Sequence, residues 1–194
     1  IFMNRILLID GENLKGKIKT VFENQGENDL IWHNYDFKGL FNQVLEGLKI
    51  DEICFYFAHI KKHPQSIEKS KRLIEEQRLL KTHLERSGFK VIMAGNVRGN
   101  INKNGILIFK EKGVDVRIGV DMIVLACDKK FDSIILGSSD SDLQPVIKEV
   151  IKRGVECIYL GFETKPNKGM TCTTSRTILI RNSEVLKFKN KNID

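Results

Sequence analysis

Five short apolar runs recur along the chain: Arg5–Ile9, Ile53–Ala58, Phe89–Ala94, Ile134–Leu136 and Val155–Leu160. Each is bounded by Asp, Gly or Asn, and continuous apolar runs of this length between turn formers read as buried strands. Between them the apolar positions change to helical spacing. After Asp36, a natural N-cap, Phe37, Leu40, Phe41, Val44, Leu45 and Leu48 share one face. Ile67, Leu73, Ile74, Leu80 and Leu84 form the stripe of a long helix that starts at Pro64 and stops at Gly88. Val114, Ile118, Met122 and Leu125 stack along residues 114–127, and an amphipathic helix follows Asp142 and ends at Gly154.

The remaining segments carry weaker patterns. Leu14 to about Val21 is a short helix, and Glu23–His33 is a polar loop. Gly95–Gly113 is rich in Gly, Asn and Lys, with Asn104-Gly105 as a turn signal, so a hairpin is expected there. Thr164–Ser175 has the composition of a mobile loop, and Arg176–Phe188 is read as a helix. Strands alternating with helices predict an α/β domain with a mostly parallel sheet of about five strands, in the order 3-2-1-4-5. Residues 3–162 make the domain, and residues 163–194 are expected to be a loop and terminal segment packed on it. Ile1 and Phe2 precede Met3 and stand outside the predicted elements.

That order sets the candidate chemistry. Asp10 ends the first strand, and Asp140 and Asp142 follow the fourth; as neighbours at the switch point their carboxylates meet at one sheet edge. Asp115 and Asp121 come from the helix immediately before the fourth strand. At about 100° per residue, Asp121 lies beside the apolar stripe, where a carboxylate is costly to bury unless a cation or donor meets it. Aspartates without interleaved Cys or His form a hard-oxygen set that selects Mg²⁺ or Mn²⁺ over Zn²⁺. Asp10, Asp115, Asp140 and Asp142 are the expected metal ligands. Asn13, Lys112, Ser139 and Ser141 are placed to meet substrate oxygens or to orient a carboxylate. Single aspartates also have structural uses: Asp10 at a turn, Asp140 or Asp142 as an N-cap, and Asp115 at a helix N-terminus.

Composition narrows the partners. The 194 residues hold 32 Lys+Arg against 25 Asp+Glu, a net charge of +7, with a pI near 9.2. A basic balance beside a carboxylate-held divalent ion points to phosphodiester hydrolysis of a nucleic acid. The tail lysines Lys187, Lys189 and Lys191 are candidates for backbone contact. Cys54, Cys127, Cys157 and Cys172 form no CxxC pair, which suits a reducing, cytoplasmic setting. No stretch approaches the roughly 20 apolar residues of a membrane helix, and no signal-peptide pattern opens the chain. His59 and His63 are four apart, but Pro64 puts them in a connection instead of on one helix face.

Three blocks, LLIDGENL, KGVDVRIGVDMIVLA and IILGSSDSDLQPVIKEVIKRGVECIYLG, together with the late SRTILIRNSEVLKF, resemble the NYN domain. This is a PIN-like nuclease family that includes bacterial LabA-like proteins. The resemblance implies a three-layer α/β/α sandwich and a metal-dependent endoribonuclease that uses Mg²⁺ or Mn²⁺. It places the acidic positions on Asp10, Asp115, Asp121, Asp140 and Asp142, with Asn13 in the first block. One departure stands out: the family usually has Ser-Gly-Asp where this chain has Ser138-Ser139-Asp140. The alternative from another class is a PIN-like module that holds RNA or a protein without cutting, and the complete aspartate set weighs against it. A Toprim-like site built on Glu12, Asp140 and Asp142 would need its glutamate in a glycine-rich turn. Homodimerisation is left open by the sequence.

Overall fold

A computed structural model describes residues 3–62, 67–101 and 107–189. Among these residues seven strands form a single sheet: β1 (Arg5–Asp10), β2 (Glu52–His59), β3 (Lys90–Ile101), β4 (Leu107–Lys112), β5 (Ser133–Gly137), β6 (Glu156–Phe162) and β7 (Arg176–Ile180). Their spatial order is β4-β3-β2-β1-β5-β6-β7. Every neighbouring pair is parallel except β3 and β4, which run antiparallel. The expected five-stranded sheet of order 3-2-1-4-5 is therefore corrected to seven strands. The additional strands lie at the two edges, where the pattern was least strand-like.

At one edge the hairpin arm β4 extends the sheet; its turn at Asn104-Gly105, like Pro64 and His63, lies outside the described residues. At the other edge Arg176–Ile180, expected as helix, pairs with β6 as β7, and helix begins only at Asn182. Parallel pairing of residues 176–180 with Ile158–Phe162 outweighs the mixed local signal of that segment. The stretch expected as loop at 164–175 holds a short helix, Lys168–Thr173, whose N-cap Asn167 accepts from the Met170 N–H at 3.2 Å.

Alternation along each strand divides the core into two layers. Leu7, Ile9, Phe55 and Phe57 face one side, where they meet α1 (Gly11–Glu23), α2 (Phe37–Val44) and α3 (Ile67–Arg86). Ile6, Leu8, Cys54 and Tyr56 face the other, against α4 (Val114–Cys127) and α5 (Gln144–Lys152). The molecule is thus an α/β/α sandwich. The helix Lys168–Thr173 is α6, and Asn182–Lys187 is α7. The Tyr35 hydroxyl donates to the Val185 carbonyl at 2.9 Å and fastens α7 to the first layer.

The chain runs outward from β1 through β2, β3 and β4, then returns to form β5 on the other side of β1. The carboxyl ends of β1 and β5 therefore flank the point where the order reverses, the usual ligand crevice of an open α/β sheet. Among the described residues, no helix is long and apolar enough to cross a membrane.

Candidate functional site

β1 is buried from Ile6 to its last residue, and Asp10 at its tip is only 8% exposed. Its Oδ1 accepts from the Asn13 N–H at 3.0 Å, so the side chain caps α1. A Cβ on Gly11 would stand 2.1 Å from the Phe57 ring, so this first turn lies directly on β2 and admits only glycine without a shift. Burial, more than any neighbour, drives the Asp10 carboxyl up to about 6. The Asn13 N–H opposes that rise, while Asp115, Glu12 and Asp140 add to it.

The loop after β5 brings in the next carboxylates. Asp140 Oδ1 accepts from the Asp142 N–H at 2.9 Å and starts a single 3₁₀ turn over Ser141–Leu143, and the Asp140 N–H donates to Ser138 Oγ at 3.2 Å. Asp115 enters from the first turn of α4, which Gly113 begins in the left-handed region at φ 95°. Asp140 lies close to the Asp115 carboxyl. Burial raises the Asp115 carboxyl first, and Asp140 and Asp142 raise it further. Asp10, Asp115, Asp140 and Asp142 are thus linked through their charges. Asp142 and Ser141 are exposed at the rim.

Asn13 and Ser139 join the two halves. Asn13 Oδ1 accepts from the Ser139 N–H at 3.2 Å, a tie between the loop after β1 and the loop after β5. The Ser139 hydroxyl lies 3.0 Å from the Tyr159 hydroxyl, and its carbonyl accepts from Asn167 Nδ2 at 2.8 Å. A side chain where the resembling family keeps glycine is therefore accommodated by a partner on β6. Gly161 makes room for it, since a Cβ there would meet the Tyr159 ring at 2.6 Å.

Asp121 occupies different surroundings. Its Oδ2 accepts from the Tyr56 hydroxyl at 2.9 Å, and Arg117 Nε reaches both of its oxygens at 2.9 and 3.0 Å. Lys112 is exposed at the end of β4. Of the tail lysines, Lys187 donates to Gln43 Oε1 at 2.6 Å, Lys189 pairs with Glu27, and Lys191 lies outside the described residues.

Glu111 is the acidic residue that the sequence pattern did not single out. It lies on β4, and burial, then Asp10, Glu12 and Asp115, push its carboxyl up to about 8. Its Oε1 is buried without a hydrogen-bond partner. The signal for it was weak, because its position follows from the register Val97↔Glu111 across an edge hairpin. Tyr159 and Asn167 were likewise hidden, one in an apolar strand and the other in an apparent loop.

Among the described residues, no three His, Cys, Asp or Glu side chains are arranged to hold a metal ion. The donor set is nonetheless all oxygen, and mutual repulsion raises the affinity of its members for a positive charge, proton or cation. That chemistry fits a hard divalent ion.

A family model described as the NYN domain matches residues 5–178. A crystal structure of a protein of unknown function from Vibrio parahaemolyticus is similar to the chain, with a TM-score of 0.59 and 18% sequence identity. The match covers 92% of this chain and 94% of that one, and it concerns the fold alone. No curated protein matches.

Proposed function

Because the chain belongs to the NYN-domain family, which is PIN-like, we propose that it is a ribonuclease hydrolysing RNA phosphodiester bonds with Mg²⁺ or Mn²⁺. One observation carries the reading. Carboxylates from the end of β1, the start of α4 and the loop after β5 lie close enough that Asp115 and Asp140 raise the proton affinity of Asp10, and Asp140 and Asp142 that of Asp115. They do so at the crevice where sheets of this kind bind ligands.

Asp10, Asp115, Asp140 and Asp142 would hold the ion, which supplies a lowered pKa to an attacking water and stabilises charge on the phosphoryl oxygens. The protein's own part is positioning. Asn13 holds the Ser139 backbone, and the Asp140 cap on Asp142 keeps those two carboxylates on one short turn. Asp121, clamped by Tyr56 and Arg117, orients the helix that presents Asp115. Lys112, exposed just before α4, is placed to meet a phosphate, and Ser141 at the rim is free to meet a substrate oxygen. The net charge of +7 favours a polyanionic substrate over the locally acidic crevice alone.

The test is cleavage of end-labelled single-stranded RNA with Mn²⁺, stopped by EDTA. Asp10→Asn and Asp140→Asn keep both capping hydrogen bonds and should abolish cleavage. RNA cut equally by both variants would point to a contaminating nuclease and remove the assignment.

A further inference from the structure

Beside the acidic crevice lies a second cavity of about 440 Å³, within the ~300–1,000 Å³ typical of small-ligand sites. Glu12 and Glu111 line it; Glu12 raises the Asp10 carboxyl, and Asp10, Glu12 and Asp115 raise that of Glu111, so the cavity borders the carboxylate cluster. Its far wall is apolar and partly aromatic: Trp32, Phe57, Leu73 and Val97. Glu76 and Gln77 also line it, and two polar groups bear on its use. Lys15 Nζ stands 5.3 Å from the Trp32 ring centroid and pairs with Glu12 at 2.8 Å. Glu111 Oε1 is buried without a partner.

An aromatic wall, a cation over its Trp32 ring and one buried acceptor without a partner, all next to the carboxylate cluster, describe a particular guest. It must be flat, must carry an N–H donor on its edge, and must be tethered to a phosphate. Water would satisfy Glu111 but leave the partly exposed Trp32 uncovered, and an aliphatic side chain would leave Glu111 unpaired at a cost. A nucleobase meets all three demands. Its face stacks on an aromatic ring irrespective of sequence, and the edge of every RNA base offers at least one N–H.

We infer that this cavity is a base subsite, which takes one unstacked base of a single-stranded RNA whose neighbouring phosphate lies at the carboxylate cluster. Trp32 is the stacking surface, Glu111 accepts from the N–H on the base edge, and Lys15 sits where the base joins its sugar phosphate. The inference rests on the ribonuclease reading. It adds that the substrate is unpaired, since a base held in a duplex cannot leave its stack without a cost.

Trp32 is the sole tryptophan of the chain, so its fluorescence reports on the cavity directly. Wild-type protein in EDTA at low salt is titrated with a short single-stranded RNA, and in parallel with a ribose-phosphate chain of equal length that lacks bases. The expected result is saturable quenching by the RNA and none by the base-free chain. Glu111→Gln, which keeps the shape but replaces one acceptor oxygen with an amide, should weaken the quenching titration several-fold. Trp32→Leu should raise KM for RNA cleavage by roughly tenfold while leaving kcat nearly unchanged. Equal quenching by both chains, or none by either, overturns the subsite. Cleavage without quenching leaves the nuclease reading standing and removes the subsite. Quenching without cleavage does the reverse, leaving a base-binding module that does not cut.

Discussion

Asp115 on α4 and Asp140 on the loop after β5 lie close enough that Asp140 raises the proton affinity of the Asp115 carboxyl. Neighbouring negative charge penalises the ionised Asp115 carboxylate in the absence of a cation. Asp115→Asn removes the charge that is penalised. The folded-state pKa of Asp115 is raised, so its contribution to stability is fully present at low pH and is lost as pH rises through the folded value. Metal-free Asp115→Asn should therefore match wild type in acid and melt a few degrees higher at pH 8. Differential scanning calorimetry in EDTA across that range checks it. A variant less stable than wild type at pH 8 would mean that the ionised Asp115 carboxylate is not penalised in the fold.

Asp10 makes the same argument from burial. Its carboxyl is driven from 3.8 to about 6, so the native state is penalised as pH rises between those values and the penalty is constant above them. Asn at the same position still caps the Asn13 N–H and carries no charge. Asp10→Asn should be more stable than wild type by on the order of 2 kcal/mol at pH 8, with no gain below pH 4. Urea denaturation at the two pH values measures it.

Mn²⁺ should reverse that ordering. A divalent ion bound by the crowded aspartates stabilises the native state by mass action, by roughly 2.7 kcal/mol at a hundredfold excess over Kd. Wild type should gain melting temperature with added Mn²⁺, while Asp10→Asn and Asp140→Asn gain little. A uniform gain in all three proteins would place the ion elsewhere on the surface.

How much of this was legible in the sequence depended on how buried each element is. The five central strands lie between helices, so their runs are continuously apolar; β1, for example, is buried from Ile6 to Asp10. β4 and β7 lie at the sheet edges, and the exposed Arg176 and Leu179 of β7 carry no alternation that distinguishes strand from helix. The aspartates stood out because carboxylates beside apolar runs are conspicuous. Asp121 breaks the apolar stripe of α4 as expected, yet its partners are Tyr56 and Arg117 instead of the other aspartates. Glu111 was invisible for the opposite reason: a glutamate in a Lys-rich hairpin arm looks ordinary until the register places it beside Asp10 and Glu12.

The Ser139–Tyr159 contact is where this chain departs from the Ser-Gly-Asp pattern it resembles. Tyr159→Phe removes one hydroxyl of a part-buried pair and should cost about 1 kcal/mol. Ser139→Gly removes the other and frees the backbone, so it should cost slightly more, about 1–2 kcal/mol. The double variant should cost little beyond Ser139→Gly, because both substitutions break one bond. Chemical denaturation of the three proteins measures the coupling. Strict additivity would mean that the two hydroxyls do not interact.

The closest constraint on the site is steric. Gly11 begins α1 against β2, and its φ is not in the left-handed region, so an alanine there is acceptable to the backbone and would on propensity alone favour the helix. What forbids it is the Phe57 ring, 2.1 Å from where the Cβ would lie. That ring is 2% exposed and stacked on Phe55 at 6.2 Å, so it has little room to retreat. Gly11→Ala should destabilise by about 3 kcal/mol, at the upper end for overpacking, and should move Asp10 and Asn13 enough to lower cleavage. Phe57→Leu alone leaves a cavity and is also destabilising. Combined, the smaller side chain at 57 receives the new methyl, so the double variant should be more stable than the sum of the two losses by at least about 1 kcal/mol. Urea denaturation of the full cycle reads that difference directly, and additive losses would show that position 11 is glycine for a reason other than Phe57.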